Sequence, residues 1–366
     1  MKRILIIFAV TAFLTTVTYL SRHIIESSAI EQISYFIIVL FLVISIAIIL
    51  SGCEIFANGV ECISEEFNLS HATAGSLLAA VGTALPETLL PILALLFGEQ
   101  SHKEGIAVGA ILGAPFMLTT LAMFMLGVTT FILWLVKKRQ QPIFNPNLKS
   151  LRAELYFFIP TMILVFTITL MANPIVNYIT AVILLMIYVM FFIYAAGHEA
   201  QAGEEYVEMF YFNHYLACPR KRRWMIAQII AGLGFIVLGA HIFIEYITEF
   251  SIKSGMSSLI LALLIAPVAT ELPEKFNSIT WTIKGKDTLA MSNISGAMIF
   301  QSTIPVIFGL LFTSWNIEGT ALINIIYAIA MALLILYVII RSNKLPAWVL
   351  LCGGIFYTAY ILHIFA

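Results

Sequence analysis

Eleven apolar runs, each long enough to cross a lipid bilayer, constrain this chain more than any other feature of its sequence. A helix that spans the hydrocarbon core needs about 20 predominantly apolar residues. Because no water reaches that core, only helices and closed barrels satisfy every backbone polar group there. Runs of this length are helical, so we expect an all-α polytopic membrane protein. The runs fall near residues 4–20, 33–63, 72–98, 105–136, 153–172, 175–197, 224–248, 256–281, 288–313, 318–340 and 346–365.

Composition narrows the class of protein further. Of 366 residues, 61% are hydrophobic and 11% are charged, and the mean hydropathy is +1.00. No soluble globular protein needs this much apolar surface, so we expect membrane lipid as a partner and no nucleic acid. The spans offer neither a nucleophile nor a complete metal triad, so we expect neither an enzyme nor a cofactor. Four cysteines without paired spacing have the character of small core residues: Cys53, Cys62, Cys218 and Cys352.

Basic residues predict how the chain crosses the membrane. With the N-terminus inside and eleven crossings, 15 of 19 lysines and arginines fall on the inside. We therefore expect a multi-pass protein of the plasma (cell inner) membrane with a cytoplasmic N-terminus. The run at 4–20 resembles a signal peptide but lacks a clear cleavage site, which favours a retained helix. The inside loop 198–223 is acidic, then aromatic, then basic, which is typical of a helix resting on the membrane surface.

A short motif occurs twice in this chain, at an offset of 187 residues. The same offset, without a gap, also aligns Gly52 with Gly239. It further aligns Gly109 with Gly296. An ungapped match over this distance indicates an internal duplication. The two copies of the motif are Thr83-Ala84-Leu85-Pro86-Glu87 and Thr270-Glu271-Leu272-Pro273-Glu274.

The duplication predicts an inverted repeat. Each unit holds five predicted spans, and because five is odd the second unit crosses the membrane in the opposite sense. Many secondary transporters have this architecture, with the substrate site near the membrane midplane between the repeats. The predicted division is an extra N-terminal helix and outside loop, a first five-helix repeat, a cytoplasmic basic linker and a second five-helix repeat: residues 1–32, 33–197, 198–223 and 224–366.

The residue types of the motif favour a cation. An ionisable group at membrane depth is costly and indicates a functional site. Proline in a helix leaves the carbonyl four residues earlier without its donor, which here frees the carbonyls of Gly82 and Ala269. Each copy then offers a carboxylate, a hydroxyl and a carbonyl on one side of a broken helix, and hard cations such as Ca²⁺ take six to eight oxygens. The simpler alternatives are a packing kink at each proline and threonines that bond to their own helix.

These residues resemble those of the cation/calcium exchanger superfamily, whose sodium/calcium exchangers carry Gly-Thr-Ser-Leu-Pro-Glu in each half. The corresponding stretches here are 82–87 and 269–274, and the resemblance covers about 33 to 365. It implies that Glu87 and Glu274 are the central ion-binding carboxylates, with Thr83 and Thr270 beside them. The extra helix at 4–20 resembles that of the eleven-helix members, many of which are proton-coupled.

The chain departs from the family in the helix after each motif. The family carries Gly-Ser-Asn-x-x-Asn or Gly-Ser-Asn-x-x-Asp there, whereas this chain has apolar residues at most of these positions. Gln301 keeps a polar side chain, while Ala114 replaces its counterpart. Coupling to three sodium ions is therefore not expected. The predicted metal site comprises Glu87, Glu274, Thr83, Thr270, Gly82, Ala269, Glu271 and Gln301.

The second motif gains two charges, Glu271 and Lys275, which lie four residues apart and so pair well on a helix. One hypothesis is that Lys275 is a tethered cation that does the work of a sodium ion, with proton coupling through Glu271 or Glu274. The alternative is that Lys275 reaches toward the membrane interface and merely offsets Glu271.

The predicted function is a secondary active cation antiporter. It moves a divalent cation, with Ca²⁺ favoured, in exchange for H⁺ or Na⁺ by alternating access, as one helix pair slides past the bundle that bears the motifs. Its expected partners are inorganic cations and membrane lipid, and the sequence leaves the oligomeric state open. The alternative is a degenerate exchanger-fold protein that binds a cation or a partner without transport.

Overall fold

The computed structural model describes residues 10, 13, 15–20, 34–66, 87–171, 173–198, 209–317 and 319–365. Residues 15–20 are helical. A five-residue π segment, Leu118–Ala122, follows Pro115 and joins two helices into one span. The helices are α1 Tyr35–Glu66, α2 Glu87–Phe97, α3 Lys103–Met117, α4 Met123–Leu135, α5 Leu148–Met171, α6 Pro174–His198, α7 Tyr211–Leu216, α8 Arg222–Ser254, α9 Ser258–Ile283, α10 Asp287–Gln301, α11 Ile304–Phe312, α12 Thr320–Ser342 and α13 Ala347–Phe365.

The predicted fold class is confirmed. Within the described ranges, eight helical segments are long and apolar enough to cross a membrane, and α2 and the first part of α9 are shorter apolar helices. Each of the eleven predicted runs contains helix in the part described. The chain is an all-α polytopic membrane protein in which two sets of five helices form an inverted repeat.

Packing between the halves follows a pseudo-twofold pattern. The first helix of each half packs against its counterpart, α1 against α8, and the fourth helices do the same, α5 against α12. The end of the third span in each half packs against the fifth helix of the other half, which pairs α4 with α13 and α11 with α6. This reciprocity is what a twofold relation between inverted repeats produces.

Glycines bring the halves close together. A Cβ atom at Gly52 of α1 would lie 2.8 Å from the main-chain nitrogen of Ile236 in α8. A Cβ atom at Gly109 of α3 would collide with the main-chain carbonyl of Leu259 in α9. Small residues at such crossings let helix backbones approach closely, which is how helices gain packing energy in lipid.

Loops predicted to share a side of the membrane do meet. On one face, the guanidinium of Arg139 bonds the carboxylate of Asp287 (2.6 Å from Nη1 to Oδ2). There the short strands β1 Ile143–Phe144 and β2 Leu345–Pro346 also pair antiparallel. On the other face, the carboxylate of Glu104 accepts a hydrogen bond of 2.6 Å from Ser314 Oγ. The side of the membrane on which each face lies stays a prediction.

The described part of the linker contacts two helices of the bundle. In its described part, Asn58 Nδ2 of α1 donates to the carbonyl of Met209 (2.7 Å), and Phe210 packs with Cys62 and Met225. The segment at 209–216 is therefore anchored on α1 and α8, and its short helix α7 has no buried residues. That this helix rests on the membrane surface stays a prediction. The tertiary contacts arise because Phe210 finds an apolar pocket between the two helices.

Candidate functional site

Helix α9 carries the charged part of the second motif through the protein interior. Glu271, Glu274 and Lys275 are exposed by only 0%, 3% and 2% of their surfaces. Lys275 Nζ lies 2.9 Å from Glu271 Oε2. The expectation that Lys275 reaches toward the membrane interface is therefore wrong, because a buried carboxylate one helical turn away holds its ammonium group.

Glu87 stands at the start of α2 and comes from the other half of the protein. It is 4% exposed, and neither of its carboxylate oxygens has a hydrogen-bond partner among the described residues. The same holds for Glu274 Oε2 within those ranges. Buried polar atoms in folded proteins are nearly always bonded to something. Carboxylate oxygens from both motifs thus lack a described partner in an apolar interior, which makes this place a candidate cation site.

The two motif glutamates are neighbours. The charge of Glu274 acts on the carboxyl group of Glu87, and both act on the thiol of Cys53 in α1. The first helix of the first repeat therefore borders both carboxylates. Sequence reasoning treated Cys53 only as a small core residue, although its place beside Gly52 in the repeat was a usable signal.

The second motif does not break its helix. Helix α9 continues from Ser258 to Ile283 through Pro267 and Pro273, so the expected broken helix is wrong for this copy. One physical reason lies in α3: Gly113 packs against the carbonyl of Leu263, the group that Pro267 leaves without its helical donor. Close packing there supports the helix where its own hydrogen bond is missing.

The remaining oxygen ligands predicted within the two motifs divide into three groups. Thr270 Oγ1 donates to the carbonyl of Ala266 at 3.4 Å, a long back-bond that leaves its lone pairs available. Ala269 lies within α9, with its carbonyl four residues before Pro273. Gly82 and Thr83, the corresponding residues of the first motif, lie outside the described residues.

Gln301 is the last residue of α10 and is fully buried. Its Oε1 atom has no partner in the part of the chain that the structure describes. Its membership of the site stays a prediction.

Asn293 of α10 forms hydrogen bonds with α9 next to the second motif. Its Nδ2 atom donates to the carbonyl of Glu274 (3.1 Å) and to Ser278 Oγ (3.0 Å). These bonds fix the backbone of the glutamate relative to the next helix. The sequence analysis missed this asparagine, because nothing in its position along the chain indicates these bonds.

Helix α8 carries further polar side chains outside the two motifs. His241 Nε2 lies 3.2 Å from Glu245 Oε1, so these two residues pair with each other. Glu249, one turn further, is buried and lies within the electrostatic reach of Glu245 and Glu99.

Among the described residues, no group of three or more histidine, cysteine, aspartate or glutamate side chains could hold a metal ion. A cation bound between Glu87 and Glu274 therefore needs neutral oxygens as well.

The family model described as sodium/calcium exchanger protein matches residues 37–197 and 224–366. The chain belongs to the sodium/calcium exchanger family. Within the cation/calcium exchanger superfamily it is 22% identical over 315 residues to CaxA of Alkalimonas amylolytica, which is provisionally described as an antiporter. That match covers 84% of this chain and 91% of CaxA.

Solved structures of exchangers share the fold. The H⁺/Ca²⁺ exchanger CAX superposes with a TM-score of 0.68 and 16% identity, covering 96% of this chain and 88% of CAX. The sodium-calcium exchanger NCX_Mj, soaked with Na⁺ and Sr²⁺, gives a TM-score of 0.56 and 20% identity, covering 89% of this chain and 98% of its own. At these identities the likeness establishes the fold and leaves the ions open.

Proposed function

We propose that this exchanger is a secondary active antiporter that moves a divalent cation, Ca²⁺ first among candidates, in exchange for H⁺ or Na⁺. The observation that carries the proposal is the pair of open, buried carboxylates of Glu87 and Glu274, contributed by opposite halves. Two negative charges in a low-dielectric interior repel each other and lose their hydration. A bound divalent cation removes both penalties at once.

The proposed ligand set combines these carboxylates with neutral oxygens. Thr83 and Thr270 supply hydroxyls and Gly82 and Ala269 supply carbonyls, so that the two motifs give six oxygens. Glu271 and Gln301 complete the set as further oxygen donors near or beside the motifs. Ca²⁺ favours such oxygen shells at about 2.3–2.6 Å and tolerates irregular geometry, which suits a site assembled from two different helices.

Transport requires the site to open to each side in turn. We infer that α1 and α8 slide together past the helices that bear the motifs. Two features support this: α1 borders both glutamates at Cys53, and the α1–α8 contact is built on small residues such as Gly52 and Gly232. The positive-inside pattern supports a cytoplasmic N-terminus in the plasma membrane, and the family match on either side of 198–223 supports the proposed repeat boundaries.

Uptake of ⁴⁵Ca²⁺ into proteoliposomes loaded with H⁺ or Na⁺ tests the proposal. We expect gradient-driven accumulation by the unmodified protein and none by Glu87→Gln or Glu274→Gln. Glu104→Gln is the matched control, because Glu104 lies at a helix end and bonds Ser314. Absence of flux for every divalent cation, with a folded protein, would overturn the proposal.

One observation favours a second function, a degenerate exchanger-fold protein that binds a cation or a partner without transport. Ala110 and Ala114 are buried in α3, where polar side chains stand in the family pattern. Thermal stabilisation by Ca²⁺ in a protein that gives no flux would support this alternative.

A further inference from the structure

The ion pair between Glu271 and Lys275 changes the charge that the site presents to a visiting cation. Both groups are buried on the same helix as Glu274, and their separation of 2.9 Å is that of a direct ion pair. A buried carboxylate that lacked this partner would leave an uncompensated charge, which is strongly destabilising. The pair is therefore a permanent part of the protein.

The influence of Lys275 extends beyond its partner. Its charge acts on the carboxyl group of Glu274 and also on that of Glu87 from the other half. Glu271 acts on both of the same carboxyl groups. The four side chains thus form one electrostatic unit, which carries two net negative charges when all three carboxyl groups are ionised.

We propose that Lys275 is a resident counter-charge that holds the empty site at two net negative charges and thereby fixes exchange at one divalent cation for two monovalent cations. This inference rests on the proposed antiport function. In the absence of Lys275, the same three carboxylates would demand three monovalent charges. With Lys275 in place, each half of the transport cycle crosses the membrane with a nearly neutral site, which is the form the bilayer interior tolerates best.

The surroundings offer few oxygen ligands for a further monovalent cation. The helix that follows the first motif presents the buried apolar residues Ala110 and Ala114 where the family pattern has a hydroxyl and a polar side chain. The ammonium group of Lys275 supplies instead a cation that never leaves. Exchange is therefore electroneutral, and a membrane potential has no net charge to act on.

The test is ⁴⁵Ca²⁺ accumulation in proteoliposomes with a fixed gradient of the monovalent ion and a membrane potential set by potassium and valinomycin. For two monovalent cations per Ca²⁺, a tenfold monovalent gradient sustains about a 100-fold Ca²⁺ gradient. We expect this ratio to be the same at zero and at 100 mV. A ratio that changes about 50-fold at 100 mV would mean that one net charge moves per cycle and would overturn the inference.

Two variants separate the role of the charge from that of the fold. Lys275→Met leaves Glu271 uncompensated, so we expect three monovalent cations per Ca²⁺ and accumulation that responds to voltage. The double variant Glu271→Gln with Lys275→Met restores two negative charges. Its flux should fall, because Glu271 is also a proposed oxygen donor, but its Ca²⁺ accumulation ratio should again be independent of voltage. If Lys275→Met transports Ca²⁺ and its accumulation stays independent of voltage, the inference is wrong. If this variant fails to fold, the voltage dependence of the unmodified protein and of the double variant still tests the inference. No flux at all would instead reject the antiport function itself.

Discussion

The side-chain amide of Asn293 donates a hydrogen bond of 3.1 Å to the main-chain carbonyl of Glu274, and so ties α10 to the motif of α9. The same amide also bonds Ser278 Oγ one turn later. A carboxylate that must meet a partner from the other half needs a fixed backbone, because small displacements weaken every ligand contact. We therefore propose that Asn293 is a positioning residue for the site.

Replacing Asn293 by alanine should therefore weaken cation binding without removing it. We expect a several-fold loss of apparent Ca²⁺ affinity and a loss of about 1 kcal/mol in the free energy of unfolding, the usual worth of such hydrogen bonds. Calcium titration followed by thermal unfolding measures both. Asn213→Ala is the control, since Asn213 bonds the carbonyl of Cys218 outside the bundle. Unchanged affinity in Asn293→Ala would rule out the positioning role.

The hydroxyl of Thr270 gives a second prediction. Thr270→Val keeps the shape of the side chain but removes an oxygen from the proposed ligand set, which should lower Ca²⁺ affinity about tenfold. Thr161→Val is matched to it, because Thr161 is also buried and also bonds the carbonyl four residues earlier. Titration of the two variants in parallel compares them. Equal affinities would exclude Thr270 from the ligand set.

The contact between α1 and α8 gives a third prediction. Gly52→Ala places a methyl group 2.8 Å from the backbone nitrogen of Ile236, so the two helices must separate and can no longer move as a closely packed pair. We expect ⁴⁵Ca²⁺ flux to fall at least about tenfold, with a stability cost of about 1–3 kcal/mol from overpacking. Gly234→Ala makes the same change where nothing lies within 4 Å. If both variants transport alike, close packing of α1 on α8 is not needed for the cycle.

The Arg139–Asp287 pair gives a stability prediction that does not involve the site. Arg139 joins the loop after α4 to the start of α10, and Asp287 is nearly fully buried. Removing one partner of such a pair leaves the other charge uncompensated, so Arg139→Ala should lower the free energy of unfolding by about 2–4 kcal/mol. Lys149→Ala, on the exposed surface of the following helix, should have almost no effect. Thermal unfolding in detergent measures both variants.

The fold could be predicted because its main determinants are local. Apolar runs of about 20 residues specify helices in lipid whatever their neighbours are. The 187-residue offset between the motifs, with five spans in each unit, then fixes the relative sense of the halves. Glu87 and Glu274 could be identified as candidate site residues for a related reason, because a carboxylate is rare within an apolar run.

What the sequence left open depends on tertiary contacts. The same spacing allowed Lys275 to reach the interface or to pair with Glu271, and only the packing around α9 decides between them. Likewise, a proline at position 273 is compatible both with a helix that breaks there and with one that continues. The anchoring of Phe210 against α1 and α8 could not be predicted, because an aromatic residue in a loop does not specify its pocket.

Calcium binding by isothermal titration to the purified protein and to its two single-glutamate variants tests the central claim most directly. If Glu87 and Glu274 share one divalent cation between the halves, the unmodified protein binds one Ca²⁺ at the site. Glu87→Gln and Glu274→Gln should then each lose that binding on their own. Undiminished binding in either single variant would contradict the account, because it would mean that the two halves do not form a common site.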